Sequence, residues 1–287
     1  MKGTQVEWIA VDPASQHVLE IARKVADTTT TVLITGESGT GKDQLARWIH
    51  EAGPRRDAPF LKIDCASLPA ELVESELFGH ERGAFTGAES RKPGRLEMAQ
   101  GGTIVLDEVA ALAPGVQAKL LRVLEERKFE RLGGNQTLEM DARLIALTNT
   151  NLELAVAGGR FREDLYFRLN VLVIHVPALR ERPQDIAPIT EHWLARLASI
   201  HGRTGAQIEP EAMRALEAYA WPGNVRELKN AIEHALIFGK DPKKDGLLRR
   251  EDFPGVVQFA DGNAGSGAKP RTLEHMEKEA VVAALEA

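Results

Sequence analysis

The sequence predicts an α/β domain built on a parallel sheet, followed by a smaller helical subdomain. Short runs rich in Val, Ile and Leu alternate with stretches of helical spacing over the first half of the chain. Such runs are typical of strands buried on both faces, because helices cover both sides of a parallel sheet. The runs interpreted as strands are Thr31–Thr35, Phe60–Asp64, Thr103–Asp107 and Arg143–Thr148.

Helical spacing occurs between these strands and then dominates the rest of the chain. The first group of predicted helices is Asp43–Ala52, Leu72–Leu77 and Pro114–Glu126. Their alternation with the strands indicates an α/β fold. From about Ala178 the strand-like runs stop, and the predicted helices are Asp185–Ile200, Pro210–Tyr219 and Asn224–Phe238. In the last helix we expect a capping box, with Asn224 at the N-cap and Glu227 three residues later.

The predicted domain boundaries follow these changes in pattern. The α/β subdomain spans residues 1–176 and the helical subdomain spans residues 177–255. Residues 256–271 are predicted to be a flexible linker, because they are rich in Gly and small polar residues. Residues 272–287 have an apolar helical face that one helix cannot bury alone. We interpret this last segment as the start of a truncated further domain, or as a helix that docks on a partner.

Composition argues against several classes of protein. The net charge of −6, from 36 basic and 42 acidic side chains, is unlike that of a chain that mainly grips nucleic acid. The single Cys65 rules out an intramolecular disulfide and a cysteine-based zinc site, and we expect it to be a buried, inert thiol. No apolar stretch has the length of a membrane span or of a signal peptide core, which favours a cytoplasmic protein.

A glycine-rich loop separates the first predicted strand from the first predicted helix. Its glycines allow backbone N–H groups to surround an anion, and the helix N-terminus adds partial positive charge. The Lys42 ammonium is then placed to reach the terminal phosphates of a nucleotide. The alternative, a glycine-rich turn with a solvated lysine, is disfavoured by the strand–loop–helix context. The predicted nucleotide-binding residues are Gly36, Glu37, Ser38, Gly39, Thr40, Gly41, Lys42 and Asp43.

Acidic side chains provide the expected metal ligands and the base. Asp43 stands where Ser or Thr usually contacts Mg²⁺ in such loops, and a carboxylate there can bind the ion through water. The strand Thr103–Asp107 ends in an acid and is followed by Glu108. In P-loop ATPases the first acid of such a pair holds Mg²⁺ and the second orients the attacking water. The alternative is a capping Asp at the end of an ordinary strand.

Six segments together resemble one family, the bacterial enhancer-binding proteins, which are NtrC-like AAA+ activators of sigma-54 RNA polymerase. The resemblance runs from about Ile9 to Leu236. It implies an AAA+ P-loop ATPase with a parallel-sheet α/β subdomain and a C-terminal helical lid subdomain. The implied cofactors are ATP and Mg²⁺. The implied active form is a homo-oligomeric ring, expected to be a hexamer. The segments are GESGTGK at 36–42, ESELFGHERGAFTGA at 74–88, GGTIVLDE at 101–108, FREDLYFRL at 161–169, PALRERPQDI at 177–186 and WPGNVREL at 221–228.

The resemblance implies a loop that contacts sigma-54, with Phe85 and Thr86 at its tip. Glycines at both ends allow such a loop to move, and an exposed Phe is costly unless it inserts into a partner. The alternative is that Phe85 packs under its own loop. Residues 128–140 are predicted to form a hairpin. The resemblance implies that this hairpin supports the loop, and the alternative is an ordinary surface hairpin. The predicted partner-binding residues are Gly83, Ala84, Phe85, Thr86, Gly87 and Ala88.

The resemblance also assigns four polar residues to ATP hydrolysis. Asn149 is similar to sensor I, with a capping Asn as the alternative. Arg162 and Arg168 are similar to arginine fingers that act on the nucleotide of a neighbouring subunit. The alternative for them is surface pairing with Glu163 or Asp164. Arg226 is similar to sensor II, which reaches the phosphates from the lid.

Asp64 departs from the family pattern, in which an Asn at this position restrains the catalytic glutamate. A carboxylate at Asp64 is expected near Glu108, where like charges either raise one pKa or separate the pair. We therefore predict altered coupling between ATP turnover and partner binding.

The resulting prediction is an ATP-hydrolysing activator that converts the sigma-54 closed promoter complex into an open complex. One alternative is another AAA+ remodelling protein. A second is a degenerate, non-hydrolysing AAA+ scaffold, and Asp64 is the residue that favours it. Promoter or enhancer DNA is expected to be bound only by a domain missing from this chain.

Overall fold

A computed structural model of the protein describes residues 8–239 and 246–256. The chain divides into two compact units, the first ending at Arg182 and the second beginning at Pro183. The predicted linker beyond residue 256 and the predicted helix at 272–287 lie outside the described residues.

Five parallel strands form the main sheet of the first unit, in the order β2-β5-β8-β1-β9. The four strands predicted from sequence are confirmed, with the first beginning at Val32 rather than Thr31. The fifth strand, β9, was missed, although residues 171–174 form an apolar Val-Leu-Val-Ile run like those of the other strands. The strands are β1 Val32–Thr35, β2 Phe60–Asp64, β5 Thr103–Asp107, β8 Arg143–Thr148 and β9 Leu172–His175.

Helices cover both faces of this sheet. Val32 and Ile34 point to a core cluster with α1 and α2, whereas Leu33 points to a second cluster with α3, α5 and α7 on the other face. This alternation confirms that the apolar runs are strands buried on both sides. The helices are α1 Pro13–Ala26, α2 Lys42–Ala52, α3 Ala70–Phe78, α4 Arg95–Met98, α5 Pro114–Glu126, α6 Leu152–Ala157 and α7 Glu163–Leu169.

The parallel register brings the carboxyl ends of the strands to one edge of the sheet. Asp64 of β2 is the Cα partner of Asp107 of β5, and Thr35 of β1 is the partner of Thr148 of β8. Strand β1 lies between β8 and β9, so the chain order reverses there. Ligands of open α/β sheets bind in the crevice at such a position.

Two small antiparallel sheets project from the first unit. The predicted hairpin at residues 128–140 is confirmed, with Gly133 at φ 69° in its turn. A second pair encloses the predicted partner loop between its two strands. The pairs are β3 Gly79–His80 with β4 Lys92–Pro93, and β6 Lys128–Glu130 with β7 Thr137–Glu139.

The second unit is helical, as predicted. Its helices are α8 Ile186–Ile200, α9 Pro210–Ala218 and α10 Asn224–Phe238. It also contains a short parallel pair, β10 Gln207–Ile208 with β11 Leu247–Leu248, that the sequence analysis did not predict. Two-residue strands are too short to give a periodic signal.

The predicted N-cap at Asn224 was wrong by one residue. Helix α10 begins at Asn224, which has φ 54°, and Gly223 is its N-cap. Glu227 still reaches back, because its Oε2 accepts the Gly223 N–H at 2.8 Å. Since Gly223 has no side chain and Glu227 stands four residues after it, the predicted capping box is not formed.

The composition led to expectations about Cys65 and about membrane-spanning segments. Cys65 is buried, as expected. Within residues 8–239 and 246–256, no helix combines the length and apolar character needed to cross a membrane.

Removing a core side chain beneath the sheet edge tests the packing. Leu106 of β5 is fully buried, so we expect Leu106→Ala to lower the free energy of unfolding by about 2–5 kcal/mol through lost burial and a cavity. Urea denaturation measures this change. Leu154→Ala is the matched control, because Leu154 is 67% exposed and its change should stay within about 0.5 kcal/mol. Equal effects of the two variants would contradict the assigned core.

Candidate functional site

The glycine-rich loop joins the end of β1 to the start of α2 at the carboxyl edge of the sheet. Gly36, Gly39 and Gly41 have φ values of 146°, 79° and 98°, a region that favours glycine. A Cβ atom on Gly36 would lie 2.5 Å from the Val176 carbonyl oxygen. Conformation and space therefore both require glycine at the first position of the loop.

Lys42 closes this loop from the inside. Its ammonium Nζ donates to the Gly36 carbonyl at 2.8 Å and to the Glu37 carbonyl at 2.9 Å. The Thr40 hydroxyl donates to the same Glu37 carbonyl at 2.9 Å. The loop thus curls around the first turn of an 11-residue helix, where backbone N–H groups and the helix dipole favour phosphate. These residues fit a nucleotide polyphosphate.

Glu108 has a strained backbone at the end of β5. Its φ and ψ are both 51°, in the left-handed region that non-glycine residues rarely adopt. Its Oε2 accepts the backbone N–H of Asn149 at 3.2 Å. Because β5 and β8 are neighbours, the structure brings the predicted base and the predicted sensor together. Strain of this kind is concentrated at functional sites.

Asp107 is held by a lysine that the sequence analysis did not assign to the site. Its Oδ2 lies 2.6 Å from Lys62 Nζ, and its Oδ1 accepts the Glu108 N–H at 3.1 Å. Lys62 lies two residues before Asp64, so both side chains leave the same face of β2. That spacing was visible in the sequence, but the pairing of β2 with β5 was not.

Asp64 bonds to the loop that follows β2. Its Oδ1 accepts the backbone N–H groups of Ala66 at 2.9 Å and Ser67 at 3.2 Å. Between it and the next acids lies the buried Cys65, whose pKa is raised to about 12 by burial and then by the charges of Asp64, Asp107 and Glu108. The charges of the three predicted carboxylates therefore act on one buried thiol.

The acids present here fit a magnesium ion shared with phosphate, not one held by protein alone. Among the described residues, no group of three or more His, Cys, Asp or Glu side chains converges as a metal site. Asp107 lies at the carboxyl edge, and Asp43 lies exposed in the first turn of α2. Mg²⁺ is usually bound by one or two carboxylates with water and substrate phosphates.

A cavity of about 380 Å³ opens beside the glycine-rich loop. Gly36 and Glu37 line one side of it, and Asn149 lines the other. His175 also lines this cavity, with its Nδ1 3.1 Å from Thr35 Oγ1. The strand β9 that carries His175 was missed in the sequence, so this residue was missed as well.

The predicted partner loop is a tight, projecting turn. The Gly83 N–H donates to the Ala88 carbonyl at 2.8 Å, which closes the loop at its base. Gly83 and Gly87 have φ values of 82° and 104°, with open space around both. Thr86 is exposed and Phe85 is 41% exposed, its ring meeting the edge of His80 at 5.0 Å. Phe85 is thus not packed away beneath its own loop.

The confirmed hairpin packs against this loop. A Cβ atom on Gly133 of the hairpin turn would lie 2.8 Å from Ala84 Cβ. The buried Arg131 donates to Glu81 at 2.8 Å and to Glu97 at 2.8 Å, which joins the hairpin to the base of the loop. The hairpin therefore touches the loop that it was predicted to support.

The arginines predicted to act on nucleotide lie at separate places. Arg162 pairs with Asp164 at 2.6 Å, the surface pairing that was the alternative for it, and it is exposed. Arg168 is also exposed and donates to the Leu124 carbonyl at 2.7 Å. Arg226 lies exposed in the first turn of α10 in the second unit. Their predicted roles stay predictions.

Comparison with known proteins identifies the family. Residues 8–175 match the sigma-54 interaction domain, and residues 180–268 match the AAA+ ATPase lid domain. The chain belongs to the sigma-54 interaction family of AAA+ transcriptional activators. The resemblance inferred from the sequence and the AAA+ fold it implied are thereby confirmed.

Similar proteins of this family are longer than the chain. It is 52% identical to the Nif-specific regulatory protein of Azospirillum lipoferum over 85% of this chain and 38% of that protein. It is 46% identical to the regulatory protein AtoC of Escherichia coli K12, over 92% and 57% of the two chains. NtrX from Brucella abortus in complex with ADP has a TM-score of 0.80 at 37% identity, covering 99% of this chain and 63% of that one.

Thiol labelling tests the acid cluster around Cys65. Because the pKa is raised to about 12, we expect iodoacetamide to alkylate the folded protein at pH 8 at least about a hundredfold more slowly than the urea-unfolded chain. The rate in the folded protein should rise roughly tenfold per pH unit between pH 8 and 10. Cys65 is the single cysteine, so mass spectrometry reads this site alone. Similar rates for the two states would contradict the burial.

Proposed function

We propose that this member of the sigma-54 interaction family is a Mg²⁺-dependent ATPase that drives remodelling of sigma-54 RNA polymerase. The observation that best supports this proposal is the meeting of three elements at one sheet edge. These are the phosphate-binding loop, the Asp107–Glu108 pair at the end of β5, and Asn149, whose N–H bonds to Glu108 at 3.2 Å.

Each of these residues has a role in the proposed reaction. Lys42 and the loop amides bind phosphate, and Asp107 with Asp43 would hold Mg²⁺, which would neutralise developing charge. Glu108 accepts a proton from the attacking water and orients it toward the terminal phosphate. Asn149 fixes Glu108 through its backbone N–H. Lys62 Nζ lies 2.6 Å from Asp107 Oδ2 and balances the charge of this carboxylate.

ATP is the proposed nucleotide, and a ring is the proposed assembly. NtrX from Brucella abortus has also been solved in complex with ATP, and this chain is 36% identical to it over 95% of its own length. Arg162 and Arg168 are exposed, as is required of residues proposed to act on the nucleotide of a neighbouring subunit in a hexamer. Arg226 is the proposed sensor II residue.

The partner loop gives the proposed mechanical output. Phe85 and Thr86 stand at the tip of a loop closed by glycines, and the hairpin supports its base. We propose that turnover moves this tip against sigma-54 and converts the closed promoter complex into the open one. The protein would act in the cytoplasm, with DNA bound by a region outside this chain.

The concentration dependence of ATP hydrolysis tests the catalytic proposal. Since Arg162 and Arg168 are proposed to act in trans, turnover per subunit should rise at least about tenfold as protein concentration passes through the assembly range. Phosphate release with Mg²⁺, across nanomolar to micromolar protein, measures this. A Glu108→Gln variant is the control, and it should bind ATP without turnover.

Nucleotide binding without turnover at every concentration would contradict this proposal and favour the non-hydrolysing scaffold. Asp64 is the residue that favours the scaffold, because it adds a carboxylate as the Cα partner of Asp107, next to Glu108 in the chain. Restoration of turnover by Asp64→Asn would then identify this extra charge as the cause.

Replacing the loop-tip hydroxyl tests the choice of partner. Thr86→Ala should weaken sigma-54 binding at least about tenfold, as expected for a central contact, and leave ATP hydrolysis within about twofold. Co-elution with sigma-54 in the presence of a transition-state analogue measures the binding. Ser90→Ala, an exposed hydroxyl just outside the loop, is the matched control. Undiminished binding by Thr86→Ala would favour a different AAA+ remodelling function.

A further inference from the structure

Gln117 is a buried amide in the first turn of α5 that has no role in the reaction proposed above. It is 1% exposed. Its Nε2 donates to the Leu112 carbonyl at 2.7 Å and to the Arg160 carbonyl at 3.1 Å, and its Oε1 accepts the Arg162 N–H at 2.9 Å. An amide offers two donor hydrogens and one acceptor oxygen, so donor and acceptor are both used here. The side chain therefore bridges two backbone segments.

The first of these segments leads away from the predicted base. It begins at Glu108, whose carbonyl accepts the Ala111 N–H at 2.9 Å. The Leu112 N–H then donates to the Val109 carbonyl at 3.2 Å. These bonds form a tight turn, and the turn ends at the carbonyl to which Gln117 donates. One end of the bridge is therefore attached to the segment that carries Glu108.

The second segment joins α6 to α7 and ends at Arg162, one of the two predicted arginine fingers. The N–H groups of Arg160 and Phe161 both donate to the Ala155 carbonyl, at 2.9 Å and 3.2 Å, and Phe161 is buried. Arg162 is the N-cap of α7, where a backbone N–H has no partner within the helix. Gln117 accepts this N–H and so fixes the backbone from which the Arg162 side chain extends.

The Arg162 side chain leaves this fixed backbone for the surface. Its Nε donates to Asp164 Oδ1 at 3.0 Å and its Nη2 donates to Asp164 Oδ2 at 2.6 Å. An exposed ion pair of this kind is weak, so the phosphate of a neighbouring nucleotide can replace Asp164 as the partner. The buried bonds of Gln117 are costly to break and stay in place when this exchange occurs.

We infer that Gln117 is a positioning residue for Arg162, which holds the backbone of this arginine where its side chain can act on the nucleotide of a neighbouring subunit. The same bridge ties Arg162 to the segment of its own subunit that carries Glu108. Parts of two adjacent ATP sites are thereby joined within one subunit. This inference rests on the proposed function, since it assumes ATP hydrolysis with Arg162 acting in trans.

A role in folding alone is the alternative, because a buried amide with three bonds also contributes to stability. The two roles differ in what is lost with the bonds. Loss of a positioning contact weakens an interaction made in the transition state, so turnover falls while nucleotide affinity is kept. Loss of a contact that serves folding alone lowers the free energy of unfolding and leaves the turnover of the folded protein unchanged.

The test is Gln117→Met in the full chain, which keeps the length of the side chain and removes its hydrogen bonds. Turnover per subunit at saturating ATP and protein should fall about tenfold to a hundredfold, because displacing a catalytic group by about 1 Å has effects of this size. The Kd for the fluorescent N-methylanthraniloyl-ADP with Mg²⁺ should stay within about twofold of the wild type.

Gln100→Met is the matched control, because Gln100 is also an amide that bridges backbone groups. It donates to the Glu139 carbonyl at 3.1 Å and accepts the Asp141 N–H at 3.0 Å. Gln100 precedes β5, so it lies at the edge of the sheet opposite the predicted site. Its turnover should stay within about twofold of the wild type.

Two further measurements separate positioning from folding. In the Arg162→Ala background, Gln117→Met should cause no further loss of turnover, because Gln117 acts through Arg162. In the second measurement, Gln117→Met is mixed in equal amounts with Glu108→Gln, which supplies an intact arginine but no base. Each junction of a head-to-tail ring joins one subunit's site to the next subunit's arginine, and about a quarter of the mixed junctions combine two intact halves. Turnover should therefore rise at least about fivefold above the sum of the two variants alone.

The outcomes distinguish the inference from the proposed function. Unchanged turnover of Gln117→Met, an equal further loss in the Arg162→Ala background, or no recovery on mixing would each overturn the inference and leave the ATPase proposal standing. If Gln117→Met does not melt cooperatively, Gln117→Leu replaces it in the same measurements, and failure of both to fold would assign Gln117 to folding alone. Absence of turnover in the wild type would overturn both. Recovery on mixing would support the positioning role.

Discussion

The site depends on the register of three neighbouring parallel strands. Strand β8 lies between β5 and β1, so the end of β8 meets both the acids after β5 and the glycine-rich loop after β1. The bond from the Asn149 N–H to Glu108 spans the first of these junctions. It holds a residue whose backbone is in the left-handed region, and strain of this kind persists only where the surroundings determine it. Without that register, the predicted base and sensor are distant parts of one chain.

Charge balance is the second constraint on this edge. Lys42 bonds to loop carbonyls, Lys62 pairs with Asp107, and Arg180 pairs with Glu37. Each cation sits beside a carbonyl or carboxylate of the proposed nucleotide site. The carboxylates of the cluster would repel one another and phosphate if left unpaired. Cys65 is affected by the same charges, because burial and three acids raise its pKa to about 12.

The partner loop lies apart from this chemistry, on an insertion between β3 and β4. The hairpin connects this loop to the rest of the first unit. The hairpin turn contacts Ala84, and Arg131 bonds to Glu81 and Glu97. A buried arginine with several charged partners is a rigid junction, since breaking it leaves an uncompensated buried charge. The loop tip is therefore exposed while its base is fixed. Such an arrangement suits a loop that presses on another protein.

The sequence by itself determined the strands buried on both faces, the glycine-rich loop, the hairpin and the family, because apolar periodicity and glycine-dependent turns are local properties. It missed β9, although residues 171–174 form an apolar Val-Leu-Val-Ile run, and it misplaced the N-cap of α10 by one residue. Only the tertiary structure brought Lys62 to Asp107, Arg180 to Glu37 and Asn149 to Glu108. These contacts join residues that are far apart in the chain. They depend on the tertiary fold, including strand order and register, which no local sequence pattern encodes.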